Sequence, residues 1–205
     1  MGAGGKPEYR FSKSKSRFGW IGVALCSGKP VTSENLRAVV ISPKASDVRR
    51  LLAEALGTGT DNVLSSVRLT RMADRIADAV ESGKGKRGLT RLPVEMESLA
   101  GSPFMRAVWN VVRAIPSGEC RSYAEIAQSI GGGGSLPTRA VANAVARNPL
   151  ALLIPCHRVI LSSGEAGNYR WGPDIKRALL ESEGVRLPYR KRGWLEDGTD
   201  TLTVC

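Results

Sequence analysis

The apolar run at residues 150–160 limits what this chain can fold into more than any other stretch. Leu150, Ala151, Leu152, Leu153 and Ile154 lead into Pro155, Cys156, His157 and Arg158, and Val159 and Ile160 follow at once. Such a segment belongs inside the protein, yet it carries a thiol, the single histidine of the chain and a guanidinium. The rest of the chain has to decide what these groups do there. A thiol beside an imidazole also suits a reactive thiolate, because a neighbouring His or Arg raises the thiolate fraction. The same residues fit a structural cysteine that merely fills core space. By themselves they leave both readings open.

Cysteine and histidine usage narrows the chemistry. Cys26, Cys120, Cys156 and Cys205 are widely spaced, with no Cys-x-x-Cys pair and one histidine to join them. A zinc site of the common spacing is therefore not expected, and no metal or cofactor is called for. Scattered cysteines behind an N-terminus without an apolar signal core fit a reducing cytoplasm. No run of about 20 apolar residues offers a membrane span. Thirty Lys and Arg against nineteen Asp and Glu give a net charge of +11. That excess points to a polyanion, most simply nucleic acid. Charge alone does not separate DNA from RNA or from an anionic membrane surface.

Along the chain, residues 1–18 are rich in Gly, Ser and Lys and read as a basic tail. Residues 19–92 read as an α/β scaffold domain. It has strands at 20–26 and 36–41, and helices at 46–56 and 68–80 with apolar residues at helical spacing. Residues 100–188 read as a mostly helical second domain, and 189–205 as a C-terminal tail. In the second domain Ser102 and Pro103 begin a helix whose apolar face is Phe104, Val108, Val111, Val112 and Ile115. Ser122 and Glu125 form a capping box, and Thr138 is expected to cap the following helix. Two short helices joined by Gly131, Gly132, Gly133 and Gly134 suggest a helix-turn-helix, in which the start of the second helix faces DNA. Its face of Ala140, Ala142, Asn143, Ala144 and Ala146 permits close approach but offers few long side chains to base edges. Little sequence preference is expected, with Arg139 the side chain best able to enter the base stack.

Beyond the cysteine, Tyr169, Arg170 and Trp171 lie in a Gly-rich loop of a kind that can enclose a flat ring. A helix at 174–183 follows, with Ile175, Ala178 and Leu179 inward. Glu183 ends it, just before Gly184. The helix macrodipole disfavours a carboxylate at that end, so Glu183 needs a compensating partner, and histidine is the obvious kind.

These residues, taken in order, resemble the O6-alkylguanine-DNA alkyltransferases. The resemblance rests on Ser102-Pro103-Phe104 with Val108-Trp109, Ile115-Pro116-Ser117-Gly118, Ser122-Tyr123, Arg139-Ala140-Val141 and Asn148-Pro149. It continues through Ile154-Pro155-Cys156-His157-Arg158-Val159, Tyr169-Arg170-Trp171-Gly172, Leu179-Leu180 and Glu183-Gly184. The Tyr-Arg-Trp-Gly segment looks most like the C-terminal domain of the bacterial adaptive-response proteins. The resemblance implies a ribonuclease H-like N-terminal domain and a second domain that repairs duplex DNA carrying O6-alkylguanine, and also O4-alkylthymine, after base flipping. In that scheme Cys156 accepts the alkyl group and is consumed. His157 and Glu183 activate it, Asn148 shapes the turn, and Tyr123 donates a proton to the departing base. The backbone of Val159 and the side chains of Tyr169, Arg170 and Trp171 hold the base. Arg139 replaces it in the stack, and Thr138, Ala140, Val145 and Tyr123 meet the DNA. The implied protein is a monomer in the cytoplasm, associated with the nucleoid. Trp171, where some relatives have small residues, implies a pocket that favours methyl over benzyl. Three other readings are a lesion binder that does not repair, a helix-turn-helix regulator switched by methylation, and a Cys/His hydrolase. The cysteine, the alanine-rich helix and the basic surface weigh against them in turn.

Overall fold

The computed structural model describes residues 8–27, 30, 32, 35–81, 89, 92–130 and 136–188. Strand β1 (Tyr9–Ser16) pairs antiparallel with β2 (Gly19–Cys26), Tyr9 opposite Cys26 and Ser16 opposite Gly19. The segment expected to be a tail is thus a strand from its ninth residue onward. β3 (Leu36–Ser42) lies antiparallel on the other side of β2, and β4 (Val63–Ser65) runs parallel to β1, giving the order β3-β2-β1-β4. β1 is therefore paired on both edges. Its backbone hydrogen bonds hold it in place although Lys13 and Lys15 point to solvent and only Phe11 and Ser16 are buried.

Helix α1 (Val48–Leu56) packs on β2 and β3, and α2 (Thr70–Glu81) on β1 and β2. Gly22 in β2 makes the first contact possible, because a Cβ there would lie 2.3 Å from Val48 Cγ1. α1 stops at Gly57, whose φ of 66° turns its N–H back to the carbonyls of Ala53 and Glu54, as a left-handed glycine cap does.

The second half begins with α3 (Pro103–Arg113), capped as its sequence suggests: Ser102 Oγ accepts from the Met105 amide at 3.2 Å. Val108, Trp109 and Val112 are buried, and Trp109 Nε1 donates to the Ala144 carbonyl at 2.8 Å. β5 (Arg121–Ser122) pairs in parallel with β6 (Val159–Ile160). α4 (Tyr123–Ile130) follows β5 directly. The capping box is reciprocal: the Ser122 amide donates to Glu125 Oε2 at 2.7 Å, and the Glu125 amide to Ser122 Oγ at 3.2 Å. The glycines after α4 lie outside the described residues. In α5 (Thr138–Ala146) the cap position belongs to Pro137, with φ −61° and ψ 119°. Thr138 is already helical, so it does not cap. In α6 (Pro173–Ser182) the buried stripe is Lys176, Leu179 and Leu180, one residue later than the phase set by Ile175 and Ala178.

One apolar core runs through both halves, from Val39 and Ile41 to Val108 and Leu150. The Val39 amide donates to the Pro149 carbonyl at 2.8 Å, and the Ala151 amide to the Val39 carbonyl at 2.9 Å. The outer edge of β3 is thus covered by the segment that leads into Cys156. Among the described residues no helix is long and apolar enough to cross a membrane. The expected C-terminal tail, 189–205, lies outside them.

Candidate active site

Residues 150–160 are buried throughout, as their composition requires. Their backbone folds in tight steps. Leu152 has φ 71°, and across it the Leu153 amide donates to the Ala151 carbonyl at 2.8 Å, a γ-turn of the uncommon positive-φ kind. Across Pro155 the Cys156 amide donates to the Ile154 carbonyl at 2.8 Å. Cys156–Arg158 then form one 3-10 turn. In an extended strand Cys156 and His157 would point to opposite faces; this turn removes that alternation.

Asn148, fully buried, ties the motif together. Its Nδ2 donates to the Ile154 carbonyl at 2.8 Å and to Cys156 Sγ at 3.1 Å, and its Oδ1 accepts from the Leu150 amide at 2.9 Å. Burial pushes the Cys156 thiol above its ordinary pKa. The Asn148 hydrogen bond, the Lys176 charge and the Tyr169 hydroxyl pull it back only in part. The resting group is therefore a thiol. The expected gain in thiolate from adjacent His and Arg is not realised at rest: the Arg158 guanidinium and the His157 Nε2 are turned to Glu183.

His157 Nε2 lies 3.0 Å from Glu183 Oε1, while Arg158 donates from Nε to Oε2 and from Nη2 to Oε1, both at 2.9 Å. Arg158 Nη1 also donates to the Ile115 carbonyl at 2.6 Å. The Glu183 side chain is 1% exposed. Burial pushes its pKa up, but hydrogen bonds and charge from His157 and Arg158 outweigh that and bring it down to about 2. The carboxylate is ionised, and His157 can present Nε2–H to it. The partner that the helix end demanded is thus a His together with an Arg.

Lys176 was not singled out by its sequence. It is fully buried, and Nζ donates to the carbonyls of Val159 at 2.6 Å, Asn168 at 3.5 Å and Ala166. Burial lowers its pKa to about 8, against the opposing influence of Cys156 and Cys120. The signal was present: residues 176, 179, 180 and 183 follow the spacing of one helix face, and a lysine among them breaks the apolar rule.

Tyr123, half-buried at the start of α4, has its pKa raised by burial and by the nearby Cys156. Tyr169 and Trp171 meet edge to face at 5.2 Å between centroids. The Tyr169 hydroxyl and Trp171 Nε1 are buried. Arg170 is exposed, its Cζ 5.8 Å from the centre of the Trp171 ring. Val159 is buried, with its carbonyl on Lys176. Cys156, His157, Glu183, Asn148, Tyr123, Val159, Tyr169 and Trp171 thus gather in one region. Arg139 and Thr138 stand exposed on α5, and Ala140 is half-buried. Val145 is 6% exposed and packs in the core, so it adds no side chain to the outer face of that helix. An open cleft of about 1140 Å³ is bordered by Leu161, Asn168, Arg177 and Leu187. Cys156, His157 and Asn148 are not among its walls; they lie in the closed, buried motif.

A family model described as the 6-O-methylguanine DNA methyltransferase DNA-binding domain matches residues 103–185. The methylated-DNA–protein-cysteine methyltransferase of Mycobacterium tuberculosis is 48% identical over 100 residues, 49% of this chain and 59% of that protein. The matched part thus spans little more than half the length of this relative. The protein of that name from Methanosarcina acetivorans is 40% identical over 124 residues, 60% of this chain and 75% of its own. The crystal structure of Mycobacterium tuberculosis OGT in complex with DNA superposes with a TM-score of 0.62 at 29% identity, over 86% of this chain and 92% of that one. Identity at this level over three quarters of a relative, with the fold in common, settles descent: the chain belongs to the methylated-DNA–protein-cysteine methyltransferase family.

Proposed function

We propose that this protein repairs alkylated DNA by moving the alkyl group from guanine O6 to Cys156. The observation that carries the reading is the Cys156 thiol held at 3.1 Å by Asn148 inside a buried turn whose next residue is paired with Glu183. The thiol gives up its proton toward His157, and the ionised Glu183 stabilises the imidazolium. With Nε2 on Glu183, Nδ1 is the nitrogen that takes this proton. The sulfur then attacks the alkyl carbon, a C–S bond forms and the C–O bond breaks. The electron pair goes to the guanine, which takes a proton from Tyr123, and the proton held by the imidazolium returns to the Tyr123 oxygen, so both side chains end neutral. A neutral thiol at rest guards a buried nucleophile until substrate arrives. The thioether is not hydrolysed in neutral water, so each chain acts once.

The reacting carbon lies within a duplex, so the nucleotide is flipped out, at a cost of a few kcal/mol. Exposed Arg139 at the head of α5 fills the gap. The Val159 backbone and the Tyr169–Trp171 loop hold the base. The buried Trp171 supports a pocket favouring methyl, and equal rates with methyl- and benzyl-guanine duplexes would contradict that. O4-alkylthymine is a second substrate of the same chemistry. The sheet order β3-β2-β1-β4, with β4 parallel to β1, supports a ribonuclease H-like N-terminal unit. A monomer acting in the cytoplasm is the simplest form. Cys156→Ala tests the reading: lesions in duplex DNA should persist with this variant while the protein still binds that DNA. Loss of the lesion despite the substitution overturns it.

A further inference from the structure

Helix α5 is built almost wholly of alanine and valine, apart from Thr138 and Arg139 at its start and Asn143 in its middle. Val141, Ala144 and Val145 face the core, whereas Arg139, Asn143 and Ala146 are exposed. Arg139 and Asn143 are one turn apart and share a face. Asparagine is a poor choice for a helix interior, since its amide competes for backbone hydrogen bonds. Here the exposed side chain makes no hydrogen bond with the described residues. The small Ala142 and Ala146 beside it let the helix lie close to a surface, so even a short amide reaches what that surface displays.

We propose that Asn143 reads a base pair next to the lesion and makes repair sensitive to its sequence context. This rests on the DNA alkyl-transfer reading above. The amide offers a donor at Nδ2 and an acceptor at Oδ1. In the minor groove A·T presents only acceptors, while G·C adds the guanine amino donor; in the major groove adenine presents a matched donor and acceptor. In either groove one amide separates A·T from G·C. Arg139, one turn away, enters the stack at the lesion, which places Asn143 over neighbouring pairs. The helix therefore carries one discriminating side chain on an otherwise indifferent face.

The test compares wild type with Asn143→Ala on duplexes carrying one O6-methylguanine flanked by A·T or by G·C pairs. Single-turnover transfer and equilibrium binding are both measured on the same duplexes. The wild type should differ between contexts by at least about fivefold, and the variant by less than about twofold, as expected when one base-edge contact is lost. Alanine is the better helix former, so the variant should keep its fold, checked by its melting temperature. An equal spread in both proteins, or none in the wild type, overturns the proposal. Failure of the wild type to transfer any methyl group refutes the repair reading instead, and the binding spread still decides the role of Asn143.

Discussion

Glu183 shows how single residues set this site. A carboxylate at the end of α6 is disfavoured by the helix dipole, and the unfavourable placement made it visible in the sequence. His157 and Arg158 compensate it, and they hold its pKa at about 2, below its ordinary value of 4.5. A carboxyl whose pKa falls on folding contributes stability above its unfolded value and loses it as pH drops through the folded one. Glu183→Gln should therefore lower stability at pH 7 by about 3 kcal/mol, the cost of leaving a buried cation unpaired. The deficit should shrink as pH falls from about 4.5 to 2, where the native carboxyl also becomes neutral. Urea unfolding across that range measures it, and a deficit independent of pH contradicts the ion pair. Lys176 was hidden for the opposite reason. Its charge made the inward stripe of α6 look polar, and the three carbonyls and the Tyr169 ring around Nζ account for its burial.

Among the elements, capped helices were legible and β1 was not. Ser102 with Pro103, and Ser122 with Glu125, announce helix starts through chemistry confined to a few neighbouring residues. β1 announces nothing, because Lys13, Ser14 and Lys15 carry no apolar alternation and its support comes from pairing with β2 and β4. The covering of β3 by 149–151 was equally invisible, as it joins residues far apart in sequence. That contact ties the N-terminal half to the segment that leads into Cys156, and if it positions the motif, loosening it should slow the chemistry. Val39→Pro removes the donor to Pro149, and β3 offers no substitute. The variant should transfer methyl at least about tenfold more slowly while DNA binding through α5 persists; a misplaced motif costs rate in this way. An unchanged rate would show that β3 does not position the motif. Arg139→Ala acts at the other side of the site. It should slow repair in duplex more than in single strands, because only the duplex needs its gap filled. Equal slowing on both substrates contradicts the stack-filling role.

For the whole molecule, the net charge of +11 suits a protein that first meets DNA through its phosphates. Affinity for undamaged duplex should then fall steeply with salt, roughly 10²-fold for a fourfold rise if four phosphates are contacted. A flat salt response would assign the charge to another purpose. Composition carried that much, but not which groups surround the thiol. The gathering of Asn148, Lys176, Tyr169 and Tyr123 around Cys156 depends on how separate elements of the second half pack together. The central claim is a covalent one, and the mass of the protein reads it directly. After incubation with excess duplex carrying O6-methylguanine, the wild type should gain one methyl group per chain, located on the peptide that contains Cys156, with no further turnover. An unmodified protein, a methyl group on another residue, or repair of many lesions by each chain would contradict the account.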